Sequence, residues 1–373
     1  MRYRGGVKLT QLYELFPKQP RATMPVGLRV NDALYAGNLT GADPVSGAIS
    51  EDAGVQLNQA LGMLGDVVRR AGGSPVSLRK LHVSVAREDD AAWVMRALLE
   101  LSPMATVSSG VAPLPRGQLL RIDALASLDR DDDLDAELIF LGATPAAARI
   151  GDVLFAAAVT AVDAETGALI GDTKTQMRAA FDNLDRLLGA AGTDRRSILR
   201  IAGYLPDLSE KDVLNDEMVQ RFPDARQKPV HKYVPSVLPP GVATSLQVLA
   251  RIGAQREIIE IDGIKHNDPI SLGAKAGNLV VSSRVQGRLM DDATQQAERL
   301  IESHARTVLR HVGGDLQHVT QTTWGIGDPA YAVDIASVMQ RYWPAQTPDL
   351  RVTEADFPHS GLPRLEFIAL LDE

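Results

Sequence analysis

The sequence predicts an α+β protein made of three tandem copies of one domain. Two observations predict this architecture. Apolar residues at helical spacing alternate with short segments rich in β-branched residues, and the same succession of elements returns about every 120 residues. A chain of 373 residues with 45% hydrophobic content is long enough for two or three ordinary cores. We place the domains at residues 1–131, 132–256 and 257–373.

The middle copy shows the repeated unit most clearly, in "GDTKTQMRAAFDNLDRLLGAAGTDRRSILRIAGYLPDL" (171–208). Gly192 stands where a glycine commonly ends a helix, and residues 197–205 have the composition of a strand. Residues 151–172 predict two further strands joined by a turn, so the unit is β-β-α-β. The helix is indicated by apolar residues at spacings of four, three and four: Met177, Phe181, Leu184 and Leu188.

The same unit occurs on both sides of this segment. The helix-ending glycines Gly72, Gly192 and Gly313 are separated by 120 and 121 residues. The copies also end alike, in extended segments at 118–128, 244–253 and 362–371. A period of this length exceeds that of solenoid repeats, so each copy should fold around its own core.

Composition disfavours several classes of protein. A net charge of −8 without a basic run argues against nucleic acid as a partner. No apolar stretch is long enough to cross a membrane or to serve as a signal peptide, so we expect a cytoplasmic protein. Cysteine is absent, and His304, His311 and His318 are spaced too widely to share an ion. The acidic run at 129–137 lacks the glycine of a calcium loop and is interpreted as a solvated linker. We therefore expect neither a metal nor a cofactor.

The segment 171–208, followed by "SEKDVLNDEMVQRFPDAR" (209–226), closely resembles the RidA/YjgF/UK114 family of enamine/imine deaminases. The resemblance covers residues 145–250, extends over 30–128, and is looser over 266–373. It implies a small α+β domain similar to the bacillus type of chorismate mutase. Family members form homotrimers with a ligand cleft at each interface. The resemblance thus implies a monomer that folds as an intramolecular pseudo-trimer.

The resemblance also implies an arginine that binds the substrate carboxylate, two residues after a proline. That position holds Ala105 in the first copy, His231 in the second and Leu350 in the third, where Arg351 follows directly. Arg351 is predicted as the catalytic arginine, and the alternative is an exposed loop arginine. His231 is predicted to bind the carboxylate as a cation, and the alternative is an ordinary polar loop residue.

A glutamate that orients water is expected on the last strand. The corresponding residues are read as Arg121, Ser245 and Glu366, of which only Glu366 fits. Glu366 is predicted to activate water, and the alternative is a strand carboxylate paired with an arginine. Asn215 and Ser283 match substrate-binding positions of the family. No copy holds the full set, so the residues of the third copy are expected to face Asn215 across an inter-domain cleft.

Two functions follow from these residues. The first is a cofactor-free deaminase, a hydrolase acting on a small imino or enamino carboxylate at an inter-domain cleft. The alternative is a degenerate member that binds a small metabolite or serves as a scaffold without turnover. Ribonuclease activity is disfavoured by the negative charge.

Overall fold

A computed structural model of the chain describes residues 2–4, 7–11, 27–30, 33–43, 46–102, 105–111, 114, 117–128, 136–141, 144–163, 166, 168–169, 171–224, 227–236, 238–262, 270–286, 292–326, 331–343, 349–354 and 363–372. Most of the predicted linker at 129–137 lies outside these ranges. The described residues form three mixed sheets, each with its own helices, so the α+β class is confirmed.

Unit 1 forms a sheet in the order β1-β2-β3-β4-β7-β5-β6. Its strands are β1 (Arg2–Arg4), β2 (Val7–Gln11), β3 (Gly27–Val30), β4 (Ala33–Thr40), β5 (Leu78–Val85), β6 (Thr106–Val111) and β7 (Leu120–Ser127), and its helices are α1 (Ala53–Ala71) and α2 (Glu88–Leu101).

Unit 2 repeats this arrangement in the order β8-β9-β10-β13-β11-β12. Its strands are β8 (Ala136–Leu141), β9 (Thr144–Ile150), β10 (Val153–Val159), β11 (Ile198–Leu205), β12 (Val230–Pro235) and β13 (Ser245–Arg251), and its helices are α3 (Thr173–Ala190) and α4 (Lys211–Arg221).

Unit 3 has the order β14-β15-β16-β20-β18-β19, and the short β17 also pairs with β20. Its first long helix is interrupted by a π-helical turn at Ile301–Ala305. The strands are β14 (Glu257–Ile259), β15 (Gly273–Ala276), β16 (Leu279–Ser282), β17 (Val285–Gln286), β18 (Val319–Ile326), β19 (Asp349–Glu354) and β20 (Arg364–Leu370), and the helices are α5 (Ala293–Leu300), α6 (Arg306–His311) and α7 (Tyr331–Tyr342).

The ends of the first long helix of each unit are set by repeated residues. Asp52, Asp172 and Asp292 cap the N-termini by accepting backbone N–H groups. At the other ends, Gly72, Gly192 and Gly313 adopt positive φ angles of 93°, 70° and 80°. Only glycine takes this left-handed conformation without strain, so the predicted helix-ending glycines are confirmed.

The helices of each unit cover one face of its sheet and enclose a separate apolar core. The opposite faces meet their neighbours, because a fourth apolar cluster joins Leu199, Val230 and Leu249 of unit 2 to residues of unit 3 that include Ile368. Around the molecule, β6 contacts β10, β11 contacts β15 and β16, and β19 contacts β4. The three units therefore touch pairwise in a closed ring. No described helix is long and apolar enough to span a membrane.

Candidate functional site

The face-to-face packing of the three sheets leaves a cavity of about 390 Å³ that is lined by residues from all three units. Its wall is rich in ionisable side chains from strands of all three sheets. The charged members are Lys80, Arg121 and Asp123 of unit 1, Arg200 and Lys232 of unit 2, and Glu366 of unit 3.

A shared irregularity of strand pairing fixes which residues are equivalent in the three units. The register shifts between Leu78 and Lys80 in β5, between Ile198 and Arg200 in β11, and between Val319 and Gln321 in β18. Such a bulge is a landmark that does not depend on loop length. Counting from it makes Lys80, Arg200 and Gln321 equivalent.

Two residues further along, each unit presents a row of three residues across adjacent strands. In unit 3, Thr323 pairs with Arg351 on β19 and with Glu366 on β20. The same row consists of Lys232, Ala202 and Gln247 in unit 2. In unit 1 it consists of Ser108, His82 and Asp123.

These rows correct two sequence alignments. The residues equivalent to Glu366 are Asp123 and Gln247, and the expected Arg121 and Ser245 stand two positions earlier. The residue equivalent to Arg351 in unit 2 is Lys232, one position after the expected His231. Unit 2 thus has a cation at the arginine position.

Glu366 lies in a cluster of three cations. Its carboxylate accepts a hydrogen bond from Lys232 Nζ and lies 3.5 Å from Arg200 Nη1, both from unit 2. On its own unit, Arg284 Nε is 3.7 Å away. Only 2% of Glu366 is exposed, so this inter-unit cluster is screened poorly by water. These contacts resemble those of the alternative interpretation, a strand carboxylate paired with an arginine, with Lys232 as an additional partner.

The cluster shifts the pKa of both partners downward. Burial alone would raise the pKa of Glu366, but Lys232, Arg200 and Arg284 together lower it to about 2. Burial lowers the pKa of Lys232 to about 8, because one shared carboxylate offsets desolvation and the two guanidinium groups only in part. The site therefore holds a fixed anion beside an ammonium group that titrates near neutral pH.

The equivalent contacts between units 1 and 2 involve different chemistry. Lys80 Nζ donates to Gln247 Oε1 over 3.5 Å, and Gln247 Nε2 donates to Ser108 Oγ over 3.5 Å. Ser108 is also hydrogen bonded to His82 Nδ1 at 2.9 Å. Gln247 occupies the position of Glu366 here, so an amide replaces the carboxylate at this interface.

The third interface brings β4 of unit 1 against β19 of unit 3. Asp123 occupies the carboxylate position of unit 1, accepts the Asn38 backbone N–H over 3.1 Å and lies 3.8 Å from Arg121 Nε. Arg351 stands at the arginine position of β19, in the row with Thr323 and Glu366. Its side chain lies outside the described part of the structure.

His231 and Asn215 are brought together, but neither lines the described wall of the cavity. His231 Nε2 is 3.2 Å from Asn215 Oδ1, which also accepts the Tyr233 hydroxyl over 2.6 Å. Successive side chains of a strand point to opposite faces, so Lys232 reaches the cavity whereas His231 turns toward α4. The two predicted substrate ligands form a structural contact.

Ser283 is buried behind the cluster. Its carbonyl accepts hydrogen bonds from Ser282 Oγ at 3.0 Å and from His304 Nε2 at 3.3 Å. The next residue is Arg284, which faces Glu366. Of the five residues predicted from the sequence, Glu366 lines the cavity, and Ser283 adjoins its cluster. Within the described residues, no group of histidine and acidic side chains is arranged to hold a metal ion.

Sequence reasoning missed Lys232 and Arg200. Lys232 was visible in principle. The shift of one residue that selects Arg351 over Leu350 in the third copy also selects Lys232 over His231 in the second. Arg200 had no such signal, since its place depends on a contact across two units.

Comparison with known proteins finds similarity over a third of the chain or less. A family model described as Endoribonuclease L-PSP matches residues 143–252. A RutC family protein of Pyrococcus horikoshii is 28% identical over 111 residues, which are 30% of this chain and 87% of that protein. A RutC family protein of Aquifex aeolicus is 30% identical over 83 residues, covering 22% of this chain and 66% of that relative.

Solved structures also match about a third of the chain each. RidA from a Psychrobacter species of Antarctic origin is 23% identical, with a TM-score of 0.28, and covers 33% of this chain and 100% of its own. A YjgF/YER057c/UK114 family member from Mycobacterium tuberculosis is 21% identical, with a TM-score of 0.27, and covers 31% of this chain and 99% of its own.

Proposed function

We propose that this chain, which belongs to the RidA/YjgF family through residues 143–252, hydrolyses a small imino or enamino carboxylate between units 2 and 3. The observation that carries the proposal is the cluster of Arg200, Lys232 and Glu366 in the wall of the inter-unit cavity. It combines two cations that suit a carboxylate with one carboxylate that suits a water molecule.

The charges of the cluster assign a role to each side chain. Arg200 Nη1 is buried and makes no hydrogen bond, and the Glu366 carboxylate lies 3.5 Å away, so we assign the substrate carboxylate to this guanidinium. Glu366, with a pKa of about 2, stays ionised at neutral pH and orients the attacking water. A carboxylate with so low a pKa is too weak a base to take a proton from water, so Glu366 contributes by positioning the water molecule.

Lys232 carries the proton. Its pKa of about 8 lies close to neutral pH, which is where a general acid works best. Water adds to the imine carbon and gives one of its protons to the nitrogen, which forms a carbinolamine. The ammonium group of Lys232 then protonates the amino group of the carbinolamine. The C–N bond then breaks, ammonia leaves, and the amine of Lys232 takes the remaining hydroxyl proton. The products are a 2-oxo acid and ammonia, which balance the imine and one water.

Binding without turnover is the second candidate. The observation in its favour is that Lys232 already holds the Glu366 carboxylate by an ion pair, which competes with water for the same oxygen. In this case the cavity would take a carboxylate and release it unchanged. Arg351 remains a further proposed carboxylate ligand, at the third interface. We also propose that the protein is monomeric and cytoplasmic.

The test is ammonia release from 2-iminobutyrate formed in situ by an amino-acid oxidase. We expect acceleration over buffer, and a loss of at least tenfold in Glu366→Gln and in Lys232→Gln. Glu298→Gln is the matched control, because Glu298 is a carboxylate in an exposed ion pair with Arg341. Circular dichroism at the assay temperature verifies that each variant is folded.

Three results decide between the candidates. Acceleration that both cluster variants abolish supports the hydrolase. No acceleration, together with binding of 2-oxobutyrate by calorimetry, favours the binding protein. Acceleration that survives both substitutions refutes the assignment of the reaction to this cluster.

A further inference from the structure

Glu366 lies opposite a bulge in the neighbouring strand of its own unit. The last pair before the bulge and the first pair after it are Val281 with Ile368 and Val285 with Leu365. Between these pairs, Ser282, Ser283 and Arg284 stand opposite only Glu366 and Phe367. A bulge of this kind changes the direction of the side chains that follow it. We call these three residues the unit 3 bulge.

The other two units have a bulge at the same place, but its last residue differs. The residue just before pairing resumes is Asn38 in unit 1, Ala158 in unit 2 and Arg284 in unit 3. In unit 1, the backbone N–H of Asn38 donates to the equivalent carboxylate, that of Asp123, over 3.1 Å. In unit 3, Arg284 Nε lies 3.7 Å from Glu366. The bulge thus presents an N–H group to the carboxylate of its own unit in both cases.

Two buried side chains hold the unit 3 bulge in shape. Ser282 Oγ accepts the backbone N–H of Phe367 over 2.8 Å and donates to the Ser283 carbonyl over 3.0 Å. His304 Nε2 donates to the same carbonyl over 3.3 Å, and since a carbonyl can only accept, this bond requires the proton on Nε2. Ser282 and His304 are 0% and 5% exposed, so water competes little for these bonds. The backbone is therefore fixed on both strands next to the ion pair.

His304 comes from a helical turn that contains one additional residue. Gly72 and Gly192 lie 20 residues after the capping Asp52 and Asp172, whereas Gly313 lies 21 residues after Asp292. The π-helical turn at Ile301–Ala305 takes up the additional residue, because i→i+5 bonding lengthens a turn by about one residue. The ring of His304 packs against Phe367, with 6.0 Å between the ring centroids. The insertion thus lies in the turn that contacts the bulge.

We propose that Ser282 and His304 are positioning residues, which hold the unit 3 bulge in the shape that directs Arg284 at Glu366. The side chains act through Arg284 and do not touch the substrate. This inference rests on the proposed function, because the ion pair that they orient includes Lys232, the proton donor of the proposed reaction.

The position of Arg284 has a measurable effect on Lys232. The charged groups that face Lys232 are Glu366 on β20, Arg200 on β11 and Arg284 of the bulge. Burial, Arg284 and Arg200 together lower the pKa of Lys232 to about 8, whereas Glu366 raises it. If Arg284 turns away, the pKa of Lys232 should rise toward its ordinary value of 10.5.

The test is an NMR titration of the protein with ¹³C-labelled lysine, in which the signal of Lys232 is identified by its absence in Lys232→Gln. Arg284→Gln and His304→Phe should each raise the pKa of Lys232 above about 8. His304→Phe keeps an aromatic ring and loses the N–H donor, whereas His304→Gln offers an N–H again and should restore the pKa. The matched control is His311→Phe, because His311 is an exposed histidine of α6.

A second variant protects the test against misfolding. Circular dichroism verifies that each variant is folded, and Ser282→Ala replaces His304→Phe in the comparison if the latter is not. Ser282→Ala removes both bonds of the hydroxyl and should raise the pKa of Lys232 in the same direction. In the ammonia-release assay, the decline of activity at alkaline pH should move to higher pH in the same variants.

The outcomes separate this inference from the proposed function. An unchanged pKa of Lys232 in Arg284→Gln overturns the inference. So does a change in Arg284→Gln that neither His304→Phe nor Ser282→Ala reproduces, or an equal change in His304→Phe and His304→Gln. All three results leave the proposed function standing. The expected pKa changes without any release of ammonia would support the positioning contacts and refute the hydrolase.

Discussion

Replacing Glu366 by glutamine should destabilise the protein, because Lys232, Arg200 and Arg284 would lose the carboxylate that faces them. Glutamine keeps the shape of the side chain and removes its charge. The pKa of Glu366 is lowered from 4.5 to about 2, and the ionised form is stabilised by about 3 kcal/mol at roughly 1.4 kcal/mol per pKa unit. Removing one partner of a buried ion pair costs about 3–5 kcal/mol in other proteins, so the two figures agree in size. We expect the free energy of unfolding to fall by about 3 kcal/mol.

The pH dependence of this loss has a defined sign. A carboxyl group whose pKa is lower in the folded state stabilises the fold above its unfolded pKa, and that contribution disappears as the pH falls toward the folded pKa. The difference between wild type and Glu366→Gln should therefore be full at pH 7 and should shrink between about pH 4.5 and pH 2.

Urea denaturation followed by tryptophan fluorescence measures the effect, at pH 7 and again at pH 3. The control is Glu298→Gln, whose exposed ion pair with Arg341 should contribute less than about 1 kcal/mol. Butyrate should also stabilise Glu366→Gln more than wild type, since the variant leaves three cations without their carboxylate. A loss below about 0.5 kcal/mol at pH 7, or an equal loss in both variants, would refute the electrostatic account of the cluster.

Three further predictions concern other residues. The affinity for butyrate should fall as the pH rises through about 8, because Lys232 loses its proton there. Calorimetry between pH 6 and pH 10 measures this fall, which Lys232→Gln should remove. An equal pH dependence in the variant would contradict the assignment to Lys232. His231→Ala should lower the melting temperature but leave butyrate affinity within twofold, because His231 contacts Asn215 away from the cavity lining. A tenfold loss of affinity would support its predicted binding role instead. Gln176→Ala should lower the free energy of unfolding by about 1–3 kcal/mol, because the buried amide donates to Gly171 O and Gly241 O and accepts the Ala243 N–H. The control Gln295→Ala, at an exposed position, should cost little. Equal urea midpoints for the two variants would contradict this account.

The fold was largely predictable from local patterns. Helical spacing and helix-ending glycines repeat through the chain, and both depend on interactions within a few residues. Gly72, Gly192 and Gly313 needed no knowledge of tertiary contacts, since a positive φ after a helix favours glycine in any fold. Helix ends of this kind are therefore reliable landmarks for a repeat.

The site was less predictable, for two physical reasons. A strand repeats every two residues, so an alignment that slips by two, from Asp123 to Arg121, places an equally plausible residue on the same face. A slip of one, from Lys232 to His231, reverses the face, and loops of unequal length hide it. The bulge that fixes the register is a property of pairing between strands, which one strand's sequence does not show.

Covalent linkage of the three units accounts for the differences among the rows. In a symmetric assembly of identical chains, every substitution appears at all the equivalent interfaces at once. Here the carboxylate position holds Asp123, Gln247 and Glu366, and the arginine position holds Ser108, Lys232 and Arg351. Gln247 at all three interfaces would leave no carboxylate to orient water, and Lys232 at all three would concentrate further positive charge around one cavity. Covalent linkage therefore allows the proposed anion-binding side chains and the proposed water-orienting carboxylate to stand at one interface without being repeated at the other two.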